Sequence, residues 1–395
     1  MEQFLSDRIK NLSTSQTLAM AALARELKSQ GKDIISLSLG EPDFATPDFI
    51  KEAAKKAIDE NYSTYTPVDG YVELREAISR KFKRDNNLDY KPGQIVVSTG
   101  AKQSLYNIAN VLLNPGDECI LPAPFWVSYA EIVKMCDAVP VEVATSIQND
   151  FKMTAAQLEA AITPRTKMMM FSSPCNPSGS VYSRQELEAL AEVLQKHPQI
   201  FVVSDEIYEH INFTGDYFSM AQIPSMYNRT ITVNGVSKAF AMTGWRIGYI
   251  GAPEYIAKAC TKMQGQVTSG ANSIAQRATI TAVDADPSVL NYMVEEFRTR
   301  RDIVVSLLRE IPGIKVNVPE GAFYVFPDVS AFFGKTLRGK VIANADDFAM
   351  YLLAEANVAT VTGDAFGNPD CIRLSYATSE SLLREAIRRI KEVLS

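Results

Sequence analysis

Lys238 and Arg246 stand eight positions apart in Ser237-Lys238-Ala239-Phe240-Ala241-Met242-Thr243-Gly244-Trp245-Arg246. Small and apolar neighbours disfavour the ammonium form of a lysine and favour a nucleophilic amine near neutral pH. Arg246 offers a fixed, planar cation suited to a phosphate. A solvated surface lysine is the ordinary alternative, so the rest of the chain must decide.

Four other constellations bear on the choice. In Ser98-Thr99-Gly100-Ala101-Lys102 a strand gives way to a helix through small residues. Free N–H groups at such a helix start can cradle an anion, and an ordinary βα turn has the same look. Ser173-Pro174-Cys175-Asn176-Pro177-Ser178-Gly179 follows an apolar run and would hold the Asn176 amide at a strand's carboxyl edge, where open α/β sheets collect ligands; a plain turn is the alternative. Asp205 ends the apolar run before Glu206-Ile207-Tyr208. Burying that carboxylate is costly without a cation, which a protonated pyridine nitrogen would supply; metal binding or helix capping are the alternatives. Arg373 interrupts Cys371-Ile372-Leu374-Ser375, so a carboxylate partner is expected, from a substrate or from a nearby Glu. Trp126 could stack on a flat ring or fill the core. An imine-forming amine, a phosphate anchor and an acid for a pyridine nitrogen together suit pyridoxal 5′-phosphate.

Positioning these groups requires alternating strands and helices. Strands are expected at 34–39, 94–98, 118–121, 138–143, 167–171, 200–204, 230–233 and 248–251. Helices are expected at 16–30, 47–59, 102–113, 127–135, 155–161 and 184–196. That alternation predicts an α/β fold with a mostly parallel sheet between helices. From about 291 the pattern changes to a long helix at 292–308, short strands near 323–326 and 372–376, and a last helix from 380. The expected division is an N-terminal arm that also contributes to a small domain (1–45), a large cofactor-binding domain (46–290) and a smaller α+β domain (291–395).

Composition narrows the function. A net charge of −6 argues against a nucleic-acid partner. Arg298, Arg300 and Arg301 read as a solvated helix face. No long apolar run predicts a membrane span, and the first residues lack the apolar stretch of a secretory signal. Five scattered cysteines without a CxxC pair suit free thiols in a reducing, cytoplasmic setting. His197 and His210 are the only histidines, so a His-based metal site is not expected, and His210 reads as structural.

Seven motifs in one order resemble the class I/II, fold-type I pyridoxal-phosphate aminotransferases, nearest the bacterial aspartate aminotransferase subgroup. They are Ser38-Leu39-Gly40-Glu41-Pro42-Asp43-Phe44, Tyr65-Thr66, Ser98-Thr99-Gly100, Asn176-Pro177-Ser178-Gly179, Ser204-Asp205-Glu206-Ile207-Tyr208, the Lys238 block and Ile372-Arg373-Leu374-Ser375. The resemblance implies that Lys238 holds the cofactor as a Schiff base and shuttles the substrate proton. Asp205 would pair with the ring nitrogen, Tyr208 and Asn176 would bond the ring oxygen, and Trp126 would stack on the ring. Gly100, Ala101, Lys102, Ser237 and Arg246 would surround the phosphate. Tyr65 would reach it from a second subunit, which implies a homodimer with shared sites. Arg373, Gly40, Asn176 and Trp126 would hold the substrate, with Lys102 near the distal carboxylate of aspartate or glutamate. The implied partners are an amino acid and a 2-oxo acid. Aromatic, alanine-type or broad specificity, and a β-lyase, are the alternatives. The chain departs from many relatives at Ser13-Thr14-Ser15, where Lys-Pro-Ser is usual, and at Cys175 and Ser178, where Asn and Thr are usual.

Overall fold

The structure, a computed structural model, describes residues 4–395. Strand β1 (Ile35–Ser36) stands apart from the main sheet. That sheet has seven strands: β2 (Ile95–Ser98), β3 (Glu118–Ala123), β4 (Val139–Ala144), β5 (Thr166–Ser172), β6 (Phe201–Asp205), β7 (Thr230–Gly235) and β8 (Gly248–Gly251). Their spatial order is β2-β8-β7-β6-β5-β3-β4. The pairs from β4 through β7 are parallel, and β8 runs against both of its neighbours. The carboxyl ends of β2, β3, β5, β6 and β7 therefore share one edge, and β8 begins there.

Both faces of the sheet are covered, which is why its strands read as continuous apolar runs. Successive residues alternate sides with the strand period of two. In β3, Cys119 and Leu121 join Leu105, Ile108, Val133 and Ile256 on one side. Ile120 packs with Leu158, Leu187 and Leu190 on the other. Toward β2 that second side is completed by Ile50, Leu74, Ile78 and Phe82 under Ile95 and Val97.

The C-terminal part forms a three-stranded antiparallel sheet of Val361–Thr362, Ile372–Ser375 and Tyr324–Val325. β1 pairs in parallel with Val358–Ala359, and the Ser375 N–H donates to the Leu37 carbonyl. The start of the chain thus lies against its end.

Four helices lack the expected sequence signal. Val72–Asn86 is more than half charged, so its buried stripe of Leu74, Ala77, Ile78 and Phe82 is diluted. Ser273–Asp284 buries mostly alanines and other short side chains, Glu254–Val267 buries Ile256 with the smaller or polar Ala257, Cys260 and Gln264, and Ala345–Tyr351 is only seven residues long, all of which weaken the periodicity.

The reading of Arg298, Arg300 and Arg301 as a solvated face is overturned. Arg300 is buried, donates to Asp43 (2.7 Å) and Glu296 (2.9 Å), and lies 5.3 Å from the Phe44 ring centroid. Arg298 and Arg301 each donate to a backbone carbonyl and lie over Phe213. A planar guanidinium stacks on aromatic faces at little desolvation cost, which lets such a cluster pack inward.

Candidate active site

A cavity of about 480 Å³ opens at the shared carboxyl edge of the sheet. β2 ends in Ser98, and Gly100 (φ +82°) turns the chain into helix Ala101–Leu112. No side chain caps that helix, and its first residues, Ala101 and Lys102, line the cavity. Gly100 is required for more than its φ: a Cβ there would collide with the Arg246 guanidinium. Arg246, in the left-handed region (φ +57°), leads into β8 and donates to the Thr243 carbonyl at 2.8 Å. A guanidinium beside uncapped helical N–H groups forms a concentrated anion site.

β6 delivers Asp205, 4% exposed. Its Oδ2 accepts from the Tyr129 hydroxyl at 2.7 Å and its Oδ1 from the Ile207 N–H at 3.3 Å. Burial raises its pKa to about 6 against those two bonds. No Lys or Arg among the described residues forms an ion pair with it. A buried carboxylate facing a cavity in that condition suits a cationic ring nitrogen.

Lys238 follows β7, and its Nζ donates to the Gly40 carbonyl at 2.6 Å. Burial lowers its pKa from the usual lysine value to about 8; Glu41 opposes the shift, and Arg373 and Arg246 add to it. The ammonium lies 5.7 Å from the Tyr208 ring centroid. Ser237, buried, precedes it on the cavity wall. The Tyr208 hydroxyl is 2.8 Å from that of Tyr324.

Arg373, 1% exposed, comes from strand Ile372–Ser375. It donates to the Ser38 carbonyl (2.7 Å) and to Asn176 Oδ1 (2.9 Å), and its Nε has no partner. The guanidinium lies 4.5 Å from the Tyr324 ring centroid and 4.9 Å from that of Phe366. No carboxylate of the described residues pairs with it, which disposes of the nearby Glu considered from the sequence. Trp126, beyond β3, stands edge-on to Tyr129 at 5.7 Å. The Lys102 ammonium lies 4.8 Å from the Trp126 ring centroid, and burial with Arg246 nearby lowers its pKa.

Lys238, Asp205, Tyr208, Asn176, Trp126, Ala101, Lys102, Ser237, Arg246, Arg373 and Gly40 are thus brought to one cavity, with Gly100 behind Arg246. Tyr65 is not among them: it is 99% exposed and lines no part of this cavity. Sequence reasoning missed Tyr129, Tyr324, Glu41 and Arg25 as lining groups. Glu41 was within reach, being inside a motif already singled out. The two tyrosines carry no motif in the sequence, and the tertiary fold alone brings them to the cavity.

The residues fit pyridoxal 5′-phosphate by three observations of the protein itself: an uncapped helix start against a guanidinium, an unpaired buried carboxylate, and a low-pKa amine between them.

The family described as aminotransferase class I and II matches residues 32–390. The chain is 51% identical over 391 residues to an aspartate/prephenate aminotransferase of Cereibacter sphaeroides, with 98% of each chain covered. It is similar to the crystal structure of the aspartate aminotransferase from Rhizobium meliloti, with TM-score 0.96, 46% identity, and 99% and 98% of the two chains covered. The Thermus thermophilus aspartate aminotransferase with maleate gives TM-score 0.93 and 42% identity over 98% of this chain and 99% of that one.

Proposed function

The chain belongs to the class I and II aminotransferases and depends on pyridoxal 5′-phosphate, and from that premise we propose that it moves the amino group between L-aspartate or L-glutamate and a 2-oxo acid such as 2-oxoglutarate or oxaloacetate. The carrying observation is the placement of the Lys238 amine between two buried charges without ionic partners, Asp205 and Arg373. One suits a ring nitrogen and the other a substrate carboxylate. The dicarboxylic preference is supported by the aspartate-named relatives and by the surplus of cations on the cavity wall.

When bound, the cofactor supplies an aldehyde carbon for amines and a cationic ring that draws electrons from the substrate Cα. The chain does the rest. Lys238 would anchor the cofactor through its amine and serve as the base for the proton at the substrate Cα. Asp205, oriented by the Tyr129 hydroxyl, keeps a proton on the ring nitrogen. Tyr208 and Asn176 would bond the ring oxygen, and Trp126 would stack on the ring. Arg246, Ser237 and the N–H groups of Gly100, Ala101 and Lys102 hold the phosphate. Arg373 clamps the α-carboxylate with help from Asn176 and Gly40, and Lys102 attends the distal end. Tyr65 completes the phosphate site from a second subunit, which makes the working unit a homodimer. Five buried free thiols fit a reducing compartment such as the cytoplasm.

The test is product analysis. Beyond one equivalent of enzyme, oxaloacetate should form from L-aspartate only when 2-oxoglutarate is present. Faster turnover of alanine or phenylalanine would replace the substrate assignment. Pyruvate and ammonia from a β-substituted amino acid without an acceptor would indicate a lyase.

A further inference from the structure

We infer that Arg25 is a specificity-determining residue that meets the distal carboxylate of a dicarboxylic substrate, acting with Lys102 from a separate element; this rests on the dicarboxylate reading above. Helix Gln16–Ser29 packs Met20, Leu23, Ala24 and Leu27 against Ile34, Leu353 and Ala359. Its neighbouring flank carries Leu18 and Arg25, seven residues apart and therefore on one side of the helix. Both line the cavity that holds Lys238. The Arg25 guanidinium has no hydrogen bond or ion pair among the described residues. Glu26, beside it in sequence, accepts from Gln30 instead.

The charges on the wall support the assignment. Five cations line the cavity (Arg25, Lys102, Lys238, Arg246 and Arg373) against two carboxylates, Glu41 and Asp205. Asp205 serves the ring nitrogen, Arg246 the phosphate and Arg373 the α-carboxylate, while Lys238 works as an amine. Lys102 is divided: its ammonium lies over Trp126, next to the phosphate-side Arg246. Arg25 alone has no assigned anion. It has the reach and planar fork to take a carboxylate. A monocarboxylic donor brings no charge to that position. A substrate carboxylate left there without a full partner would bind poorly.

The experiment compares Arg25→Met and Arg25→Lys with the unaltered holoenzyme. It reads the ratio of kcat/KM for L-aspartate to that for L-alanine, and the dissociation constant of succinate by calorimetry. Loss of a charged hydrogen bond should lower the ratio about tenfold or more in Arg25→Met, through KM, and weaken succinate by a similar factor. Arg25→Lys should recover part of both. A ratio within about twofold of the unaltered enzyme, or equal losses for both amino acids, overturns the inference for Arg25 alone. An unaltered enzyme that does not prefer aspartate and does not bind succinate overturns the dicarboxylate reading as well.

Discussion

Arg373 shows what a buried charge without a partner is worth at the scale of one residue. Its guanidinium is held by a carbonyl, an amide oxygen and two aromatic faces, with the Nε left over. A substrate carboxylate would complete this set, so Arg373→Ala should raise KM for every amino acid about a hundredfold, through loss of a bidentate charged contact; steady-state assays with aspartate and alanine check it. Lys238 gives a second prediction. Lys238→Ala should abolish transamination, and near-normal turnover would remove it as the base. Its pKa also fixes a sign. The folded value, about 8, is below the unfolded one. Between pH 8 and about 10 the unfolded chain therefore binds more protons. Stability of the cofactor-free protein should rise with pH across that window, and Lys238→Met should flatten the slope in urea titrations. These residues were legible in the sequence because each sets a charge among apolar neighbours, a combination that demands an explanation. Arg25 was not, because a cation on a mostly exposed helix normally has water as its only partner.

Among the elements, the strands were easier to read than the helices around them. β3, β5, β6 and β7 are covered on both faces and so appear as unbroken apolar runs. Helix Val72–Asn86 hides its register behind charges, and Lys81 and Asp85 among them point inward. Lys81 is buried and bonds Glu209 and, at 2.8 Å, Asn86. Glu209 also accepts from Asn234 at 2.8 Å, which ties this helix to β7 just before Lys238. Asp85 and His210 complete the cluster. Such a pairing cannot be inferred from sequence, since its members are 128 residues apart. Removing one partner leaves a buried charge stranded, so Lys81→Met should cost about 3–5 kcal/mol. Denaturant midpoints would register this, while a change under about 1 kcal/mol would mean the cluster is hydrated and weak.

For the whole molecule, the phenol of Tyr65 stands almost wholly exposed on the single chain. If the partner subunit's Tyr65 completes each phosphate site, two damaged chains can repair one another. Lys238→Ala and Tyr65→Ala proteins, each impaired, should regain activity when unfolded and refolded together, because the mixed dimer has one intact site. No gain on mixing would mean each chain works alone. The carboxylate clamp sets a different condition, one of timing. Arg373 donates to the Ser38 carbonyl across 335 residues of sequence, and β1 is paired by Val358–Ala359, whereas the groups assigned to the phosphate and ring nitrogen within one chain lie between Gly100 and Arg246, and Tyr65 precedes them. A chain leaving the ribosome would thus assemble its cofactor pocket well before it could recognise a substrate. Nascent chains arrested before Arg373 emerges should take up pyridoxal phosphate yet ignore succinate.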